Sequence, residues 1–314
     1  MTQQTTLGQS ISCSGVGLHS GHPVTVTLRP APPDTGIVFV RRDKGEPVRL
    51  KASISNLMAS ELCTALQNNG TSVRTVEHML AALVGLEVDN VFVDLDAGEV
   101  PAMDGSAGPF VKLIKAAGRV PQDRVRSFLK IVKPIQVVDG DRRVIIEPCA
   151  TSRISYSIHY DHPLIRKQGI AFDFSVNAFE KEIAGARTFG FLKEVEELWA
   201  RGLGKGGSLD NTVVLADRDV LNTSGLRYDD EFVRHKVLDL IGDLALLGRP
   251  FIGHLIADRS GHALHTKLVE QILQQTDSWI LVPADHSAAD QSTKVALNSL
   301  GQPSKLPLSV PSAL

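Results

Sequence analysis

The chain has little cysteine chemistry to offer: Cys13, Cys63 and Cys149 are its only three cysteines, odd in number and far apart, with no C-x-x-C pair. That excludes a disulfide framework and a thiolate zinc site, and fits free thiols in a reducing compartment. Positive charge is not in excess either, since 33 Lys and Arg stand against 35 Asp and Glu for a formal net charge of -2. Without a basic field, nucleic acid is not an expected partner. No apolar run approaches the roughly 20 residues that span a bilayer, and residues 1–10 lack the basic start and apolar stretch of a signal peptide. The expectation is a cytoplasmic protein with no membrane span and no obligate protein partner evident.

Several catalytic signatures are also missing. There is no G-x-S-x-G to mark a serine nucleophile, no H-E-x-x-H, and the H-x-x-E-H pattern fails because Arg74 stands where its first histidine would be. Cys149 is followed by Ala-Thr-Ser, which removes the zinc deaminase pattern. Gly202-Leu203-Gly204-Lys205-Gly206-Gly207 spells G-x-G-x-x-G, but it follows a helical stretch and precedes a strand-like one. A dinucleotide fingerprint needs the reverse order, so that phosphate meets a helix N-terminus.

What is present is an ordinary globular chain. With 314 residues, 43% hydrophobic and 22% charged, it can bury a core and is long enough for two domains. Residues 24–28 alternate and 36–40 are β-branched, so the opening reads as short strands. Thr75 is placed to cap a helix running to Gly85, residues 90–95 return to a strand, and a further helix is expected over 108–117. The polar, proline-broken stretch 118–124 puts a domain boundary near 126. Beyond it come strands at 144–148 and 153–160, helices around 177–184 and 229–247, a strand at 250–256 and a helix over 262–275. Both halves share an order of strands, helix, strand, helix. The Pro-rich stretch 303–314 reads as a surface tail.

Chemistry concentrates on the 229–247 helix, where His235, Asp239 and Asp243 recur every four residues and line one face. Val233, Val237, Leu240, Ile241 and Leu244 occupy the other side, so a core-facing helix with a solvated polar stripe explains the pattern equally well. The alternative is metal binding, because imidazole and carboxylate at i, i+4 can meet one zinc. A catalytic zinc needs three protein ligands, which leaves H-x-x-x-D one short and makes His78 the candidate third. Its neighbour Glu77 would then be a carboxylate beside the metal that can act as general base. The bland reading of His78 is a buried helix histidine with both nitrogens satisfied. His262 follows a Gly-bearing turn and suits either a proton donor or a surface turn, with His265, three residues on, as its natural control.

Taken together, Gly15-Val16-Gly17-Leu18-His19-Ser20-Gly21, Thr75-Val76-Glu77-His78, Met103-Asp104-Gly105-Ser106-Ala107, Ala186-Arg187-Thr188-Phe189-Gly190-Phe191, Gly206-Gly207-Ser208-Leu209-Asp210-Asn211, the His235-Lys236 to Asp239 helix and Ser260-Gly261-His262-Ala263-Leu264 resemble the UDP-3-O-acyl-N-acetylglucosamine deacetylase family. These are the zinc-dependent deacetylases of lipid A biosynthesis, and the resemblance runs over nearly the whole chain. It implies an α+β fold of two similarly built domains, here 1–126 and 127–314, with helices packed between outer β-sheets and the active site at their junction. It implies His78, His235 and Asp239 as ligands of Zn2+, with Fe2+ suited to the same donors. Glu77 is implied as base, His262 as acid or cationic stabiliser oriented by Asp243, Thr188 as a hydroxyl donor to the oxyanion and Lys236 as a substrate contact. An inserted β-α-β segment, here about 189–225, is implied as the passage for the acyl chain of a UDP-linked acylated glucosamine. Phe189, Gly190, Leu192, Val195, Leu209 and Val214 are its candidate contacts, although ordinary core serves as well for each wall residue. Tyr160 matches an aromatic position that stacks on uracil and Arg142 lies near a basic position that meets phosphate. His19 belongs to a matching motif as a further substrate-side candidate.

Two other readings remain open. One is a noncatalytic nucleotide-sugar or acyl-carrier binding protein with a closed structural zinc site, which would need a fourth ligand and no base. The other is a zinc peptidase, which the missing motifs disfavour.

Overall fold

The computed structural model describes residues 2–43 and 45–283. The stretch 303–314, expected as a surface tail, lies outside the described residues. The fold is α+β, with two main sheets and four helices of at least nine residues among the described residues.

The first sheet orders five strands as Ile11–Val16, Pro23–Pro30, Val91–Leu95, Ile37–Arg41 and Val48–Lys51. All pairs are antiparallel except Ile37–Arg41 with Val91–Leu95. Alternation along Pro23–Pro30 sends Val24, Val26 and Leu28 inward, as period two demands of a half-buried strand. The strand Arg119–Val125 returns to pair with Gln3–Leu7, and the next strand, Ser127–Ile131, already belongs to the second sheet. The chain thus changes sheets at 126, where the polar stretch ends. In that second sheet Phe251–Asp258 is the hub. It pairs antiparallel with Arg142–Glu147 and parallel with both Ser152–Tyr160 and Ser127–Ile131.

Helices Glu77–Gly85 and Gly108–Ala117 accompany the first sheet, and Glu231–Leu244 and His262–Gln274 the second. The order of strands, helix, strand, helix read twice in the sequence is therefore the order observed. The layers meet where Glu77–Gly85 packs against Glu231–Leu244. Their approach is close enough to require Gly242, because a Cβ there would meet the backbone oxygen of Glu77 at 2.1 Å. One hydrophobic core runs through both halves and includes Leu80 and Leu83 from one helix with Val237 and Ile241 from the other.

Two local expectations change. Thr75 does not cap the first helix: it sits at φ 55 and its hydroxyl donates to Glu99, while Val76 occupies the N-cap without a side-chain bond. The polar stripe on the 231–244 helix is not solvated, since His235, Asp239 and Asp243 are 2%, 2% and 0% exposed. Val233, Val237 and Leu240 are buried as well, so this helix is enclosed on both faces.

Candidate active site

The close helix pair brings His78 from one layer to His235 and Asp239 from the other. All three are buried, and their potential ligand atoms lie within 4.8 Å of one another. The rings of His78 and His235 stand edge to face at 5.0 Å. Their Nε2 atoms lie 3.5 and 3.3 Å from Asp239 Oδ1, which has no hydrogen-bond partner among the described residues. A buried carboxylate oxygen left unsatisfied is costly, and two imidazole nitrogens facing it make a donor set that fits a divalent cation.

The surroundings fix each donor. His235 Nδ1 donates to the Ala186 carbonyl at 3.1 Å, which leaves Nε2 with its lone pair inward. Burial drives His235 down to about 3, so the ring is neutral, as a metal ligand must be. Asp239 Oδ2 accepts from Lys236 Nζ at 2.8 Å, which reserves Oδ1 for the cluster. Burial opposes the Asp239 charge, but its neighbours, the Lys236 ammonium among them, hold the carboxyl well below its ordinary range. Burial likewise opposes the Lys236 charge, and Asp239 raises it, so the ammonium persists.

Next to this set lies a second group of different character. Asp243 Oδ2 accepts from His262 Nδ1 and from His265 Nδ1, each at 2.8 Å, and Oδ1 accepts from the Thr64 hydroxyl. All its oxygens are engaged, in contrast to Asp239. Burial alone would lower the His262 imidazole, but the charge and hydrogen bond of Asp243 push it up to about 10, so it is a cation at neutral pH. Glu77 moves the other way: burial pushes its carboxyl up to about 8. The backbone N–H of Thr64 holds Glu77 Oε2 at 3.0 Å, so one residue grips both carboxylates. A base-range carboxyl and a cationic imidazole thus flank a three-donor cluster, with no fourth donor in that cluster among the described residues.

A sequence model of the UDP-3-O-acyl N-acetylglycosamine deacetylase family matches residues 4–274. The chain belongs to this family. Proteins named UDP-3-O-acyl-N-acetylglucosamine deacetylase are similar to it over most of their length. That of Myxococcus xanthus is 49% identical over 281 residues, covering 90% of either chain, and that of Hahella chejuensis is 48% identical over 284 residues, covering 90% of this chain and 94% of the other. The protein of Syntrophotalea carbinolica is 46% identical over 292 residues, or 93% and 94% of the two chains.

Of the remaining motifs that carried the family resemblance, the one with Phe189 reaches the cluster directly, and others interlock with one another around it. Thr188 is half-buried, its N–H bonded to the Gly105 carbonyl at 2.8 Å. Gly105 has φ 81, and a Cβ there would strike the Asn211 carbonyl at 1.9 Å, so the M-D-G-S-A turn interlocks with G-G-S-L-D-N. Phe189 packs edge-on against Phe232 at 5.0 Å and against His235 at 6.4 Å, and Lys236 Nζ lies 5.6 Å from its ring centre. Tyr160 joins the same aromatic group, 5.8 Å from Phe189. His19 is buried, its N–H held by Glu99 and its Nδ1 without a partner among the described residues. Arg142 stands exposed near the tip of the hairpin made by Ile135–Asp139 and Arg142–Glu147, and no contact among the described residues joins it to the cluster.

The segment expected as a β-α-β insert has that form: Phe189–Phe191 runs parallel to Val213–Leu215, with Val195–Ala200 between them. Its wall candidates are not ordinary core. Leu192 and Leu209 are 48% and 49% exposed, and Gly190, Val195 and Val214 are partly exposed. The glycine loop that mimicked a dinucleotide fingerprint instead hydrogen-bonds the His19 loop, Gly206 N–H to the Leu18 carbonyl at 3.0 Å.

Sequence reasoning missed four supports. Glu99 accepts from His19 N, Ser20 N and the Thr75 hydroxyl at 2.8 to 2.9 Å. Glu231, fully buried at the start of the His235 helix, takes Arg187 Nε and N at 2.9 Å and so fixes the Ala186 carbonyl beside His235. Thr64 and His265 complete the set. His265, read in the sequence only as the natural control for His262, shares Asp243 with it. Only Glu231 left a trace, as the acidic residue four before His235.

Proposed function

We propose that this chain hydrolyses the acetamide of a UDP-3-O-(3-hydroxyacyl)-N-acetylglucosamine, releasing acetate and the free 2-amino sugar nucleotide, as a cytoplasmic step of lipid A biosynthesis. Family membership supports the substrate class. The observation that carries the chemistry is the orphaned Asp239 Oδ1 facing two imidazole nitrogens, beside a carboxylate and an imidazolium that are held by other partners. A zinc ion held by His78, His235 and Asp239 would supply Lewis acidity toward the amide carbonyl and the attacking water, and Fe2+ suits the same donors.

The chain's own residues do the rest. Glu77 accepts a proton from the attacking water, its carboxylate fixed by the Thr64 N–H. Water oxygen forms the new bond to the acetyl carbon, and the C–N bond breaks. His262 gives its proton to the departing nitrogen, which would otherwise leave as an anion, and Asp243 keeps that imidazole charged until then. Thr188 donates its hydroxyl to the oxyanion, its backbone N–H held by the Gly105 carbonyl, and Lys236 contacts the substrate. Two domains, 1–126 and 127–314, bring these groups together at their junction. Phe189, Gly190, Leu192, Val195, Leu209 and Val214 border the acyl passage, Tyr160 and Arg142 serve the nucleotide end, and His19 is a further substrate-side residue. The exposed apolar surface at Leu192 and Leu209 supports the passage.

A noncatalytic protein with a structural zinc would need a fourth donor in place of an open position. The test is acetate release from a UDP-3-O-acyl-N-acetylglucosamine by protein stripped of metal and then reloaded. Activity that is lost on stripping and restored by one equivalent of zinc or iron(II) is expected, and a reloaded protein that leaves the acetamide intact contradicts the proposal.

A further inference from the structure

His265 has no part in the chemistry above, yet it is fully buried and both of its nitrogens are occupied. Nδ1 lies 2.8 Å from Asp243 Oδ2, and a carboxylate oxygen only accepts, so Nδ1 carries the proton. Nε2 then accepts, and two hydroxyls face it: Ser260 Oγ at 2.9 Å and Tyr156 OH at 3.2 Å. Those hydroxyls are themselves tethered, since Tyr156 OH donates to the Ser260 carbonyl at 2.8 Å and lies 3.0 Å from Ser260 Oγ. Enclosed in this way the ring is a neutral donor of fixed direction.

The consequence falls on Asp243. Its Oδ2 takes two N–H groups from rings one helical turn apart, 6.3 Å between centroids and 76° between planes, while Oδ1 takes the Thr64 hydroxyl. Three donors, two from one helix and one from a loop, leave the carboxylate plane one orientation. We infer that His265 is a positioning residue for the deacetylation: its neutral imidazole, clamped between Asp243 and the Ser260 hydroxyl, sets the plane of Asp243 and through it the aim of the His262 Nε2 proton. A displacement of about 1 Å at a proton donor can cost on the order of 10²-fold in rate. Buried networks of this kind act as units, so removal of one donor is felt by its partners. This inference rests on the assignment of His262 as the proton donor.

The experiment compares His265→Leu and His265→Met, which fill the space without a donor, with His265→Asn, whose amide N–H can occupy the Nδ1 position. Each is made in the parent and in His262→Ala, and kcat, KM, metal content and melting temperature are read for all. The expected result is a roughly 10-fold or greater fall in kcat for the Leu and Met variants, with KM within about twofold and metal retained, and recovery to within about threefold in His265→Asn. In His262→Ala the same changes should add less than about twofold, because the effect runs through a group already removed. Equal losses in both backgrounds, or Asn no better than Leu, would mean a structural role and overturn the inference. A crippled His262→Ala beside a fully active His265→Leu overturns the clamp alone, whereas a fully active His262→Ala overturns the donor assignment and the clamp with it.

Discussion

Replacing Asp243 by Asn removes one charge and almost no volume, so its effects report the electrostatics of the proton donor. Asp243 Oδ2 lies 2.8 Å from His262 Nδ1. Burial acts to lower the His262 imidazole and Asp243 leads the groups that raise it, to about 10 from an ordinary 6.5. The folded value is raised, so the charged, hydrogen-bonded pair is fully present below pH 6.5 and is lost as pH climbs through about 10. In Asp243→Asn the burial effect is left with only Asp239 and Glu77 against it. The imidazole then returns to about 6.5 or below, and near pH 7.5 no more than about a tenth of the molecules carry the donor proton. Protonation alone therefore removes about tenfold, and the loss of orientation brings the total toward the ~10² to 10⁴ of a positioned acid. The assay is kcat/KM for acetate release between about pH 5.5 and 9.5. Asp243→Asn should lose most at pH 8 and recover part of the deficit at pH 6, so that the pH 6 to pH 8 activity ratio rises about 25-fold over the parent. An unchanged ratio, or full activity at pH 8, would refute the claim that Asp243 keeps His262 charged.

Other consequences can be checked separately. His78→Ala and Asp239→Ala should each lose the bound divalent ion in metal analysis, because either leaves two donors where three converge; full occupancy in both would place the metal elsewhere. Gly242→Ala must push apart the helices carrying Glu77 and His235, since its Cβ would meet the Glu77 carbonyl at 2.1 Å. Denaturation should show a loss of about 1 to 3 kcal/mol, as for overpacked cores, and metal affinity should weaken with it. If the acyl chain lies along the 189–225 segment, Val214→Trp should penalise long chains more than short ones. Each methylene denied burial is worth about 0.8 kcal/mol, or roughly fourfold in affinity; equal losses at all chain lengths would put the chain elsewhere.

Much of the architecture was legible because local chemistry specified it. The helix Gly108–Ala117 and the helix beginning at His262 fall where periodicity and turn residues put them. The metal candidates were legible as spacing, His235 to Asp239 at i, i+4 with His78 beside Glu77, but whether the stripe faced water was not. That depends on a second helix, distant in sequence, closing over it, and the close contact at Gly242 carries no local signal. Thr75 reads as a cap because Ser and Thr favour helix starts. It fails as one because its positive φ and its bond to Glu99, 24 positions away, serve the His19 loop instead. Thr64, Glu99 and His265 were missed for the same reason, since their partners are brought to them only by the fold.

The most direct measurement is acetate release by parent and Glu77→Gln protein, each loaded with one equivalent of metal, on a UDP-3-O-acyl-N-acetylglucosamine substrate. The amide keeps the size of the carboxylate and its contact with the Thr64 N–H but cannot take a proton from water. The parent should release one acetate for each amino sugar formed, and Glu77→Gln should fall by roughly 10² to 10⁴ with its metal and fold intact. A metal-loaded parent that leaves the acetamide untouched, or a Glu77→Gln variant as fast as the parent, would contradict the account.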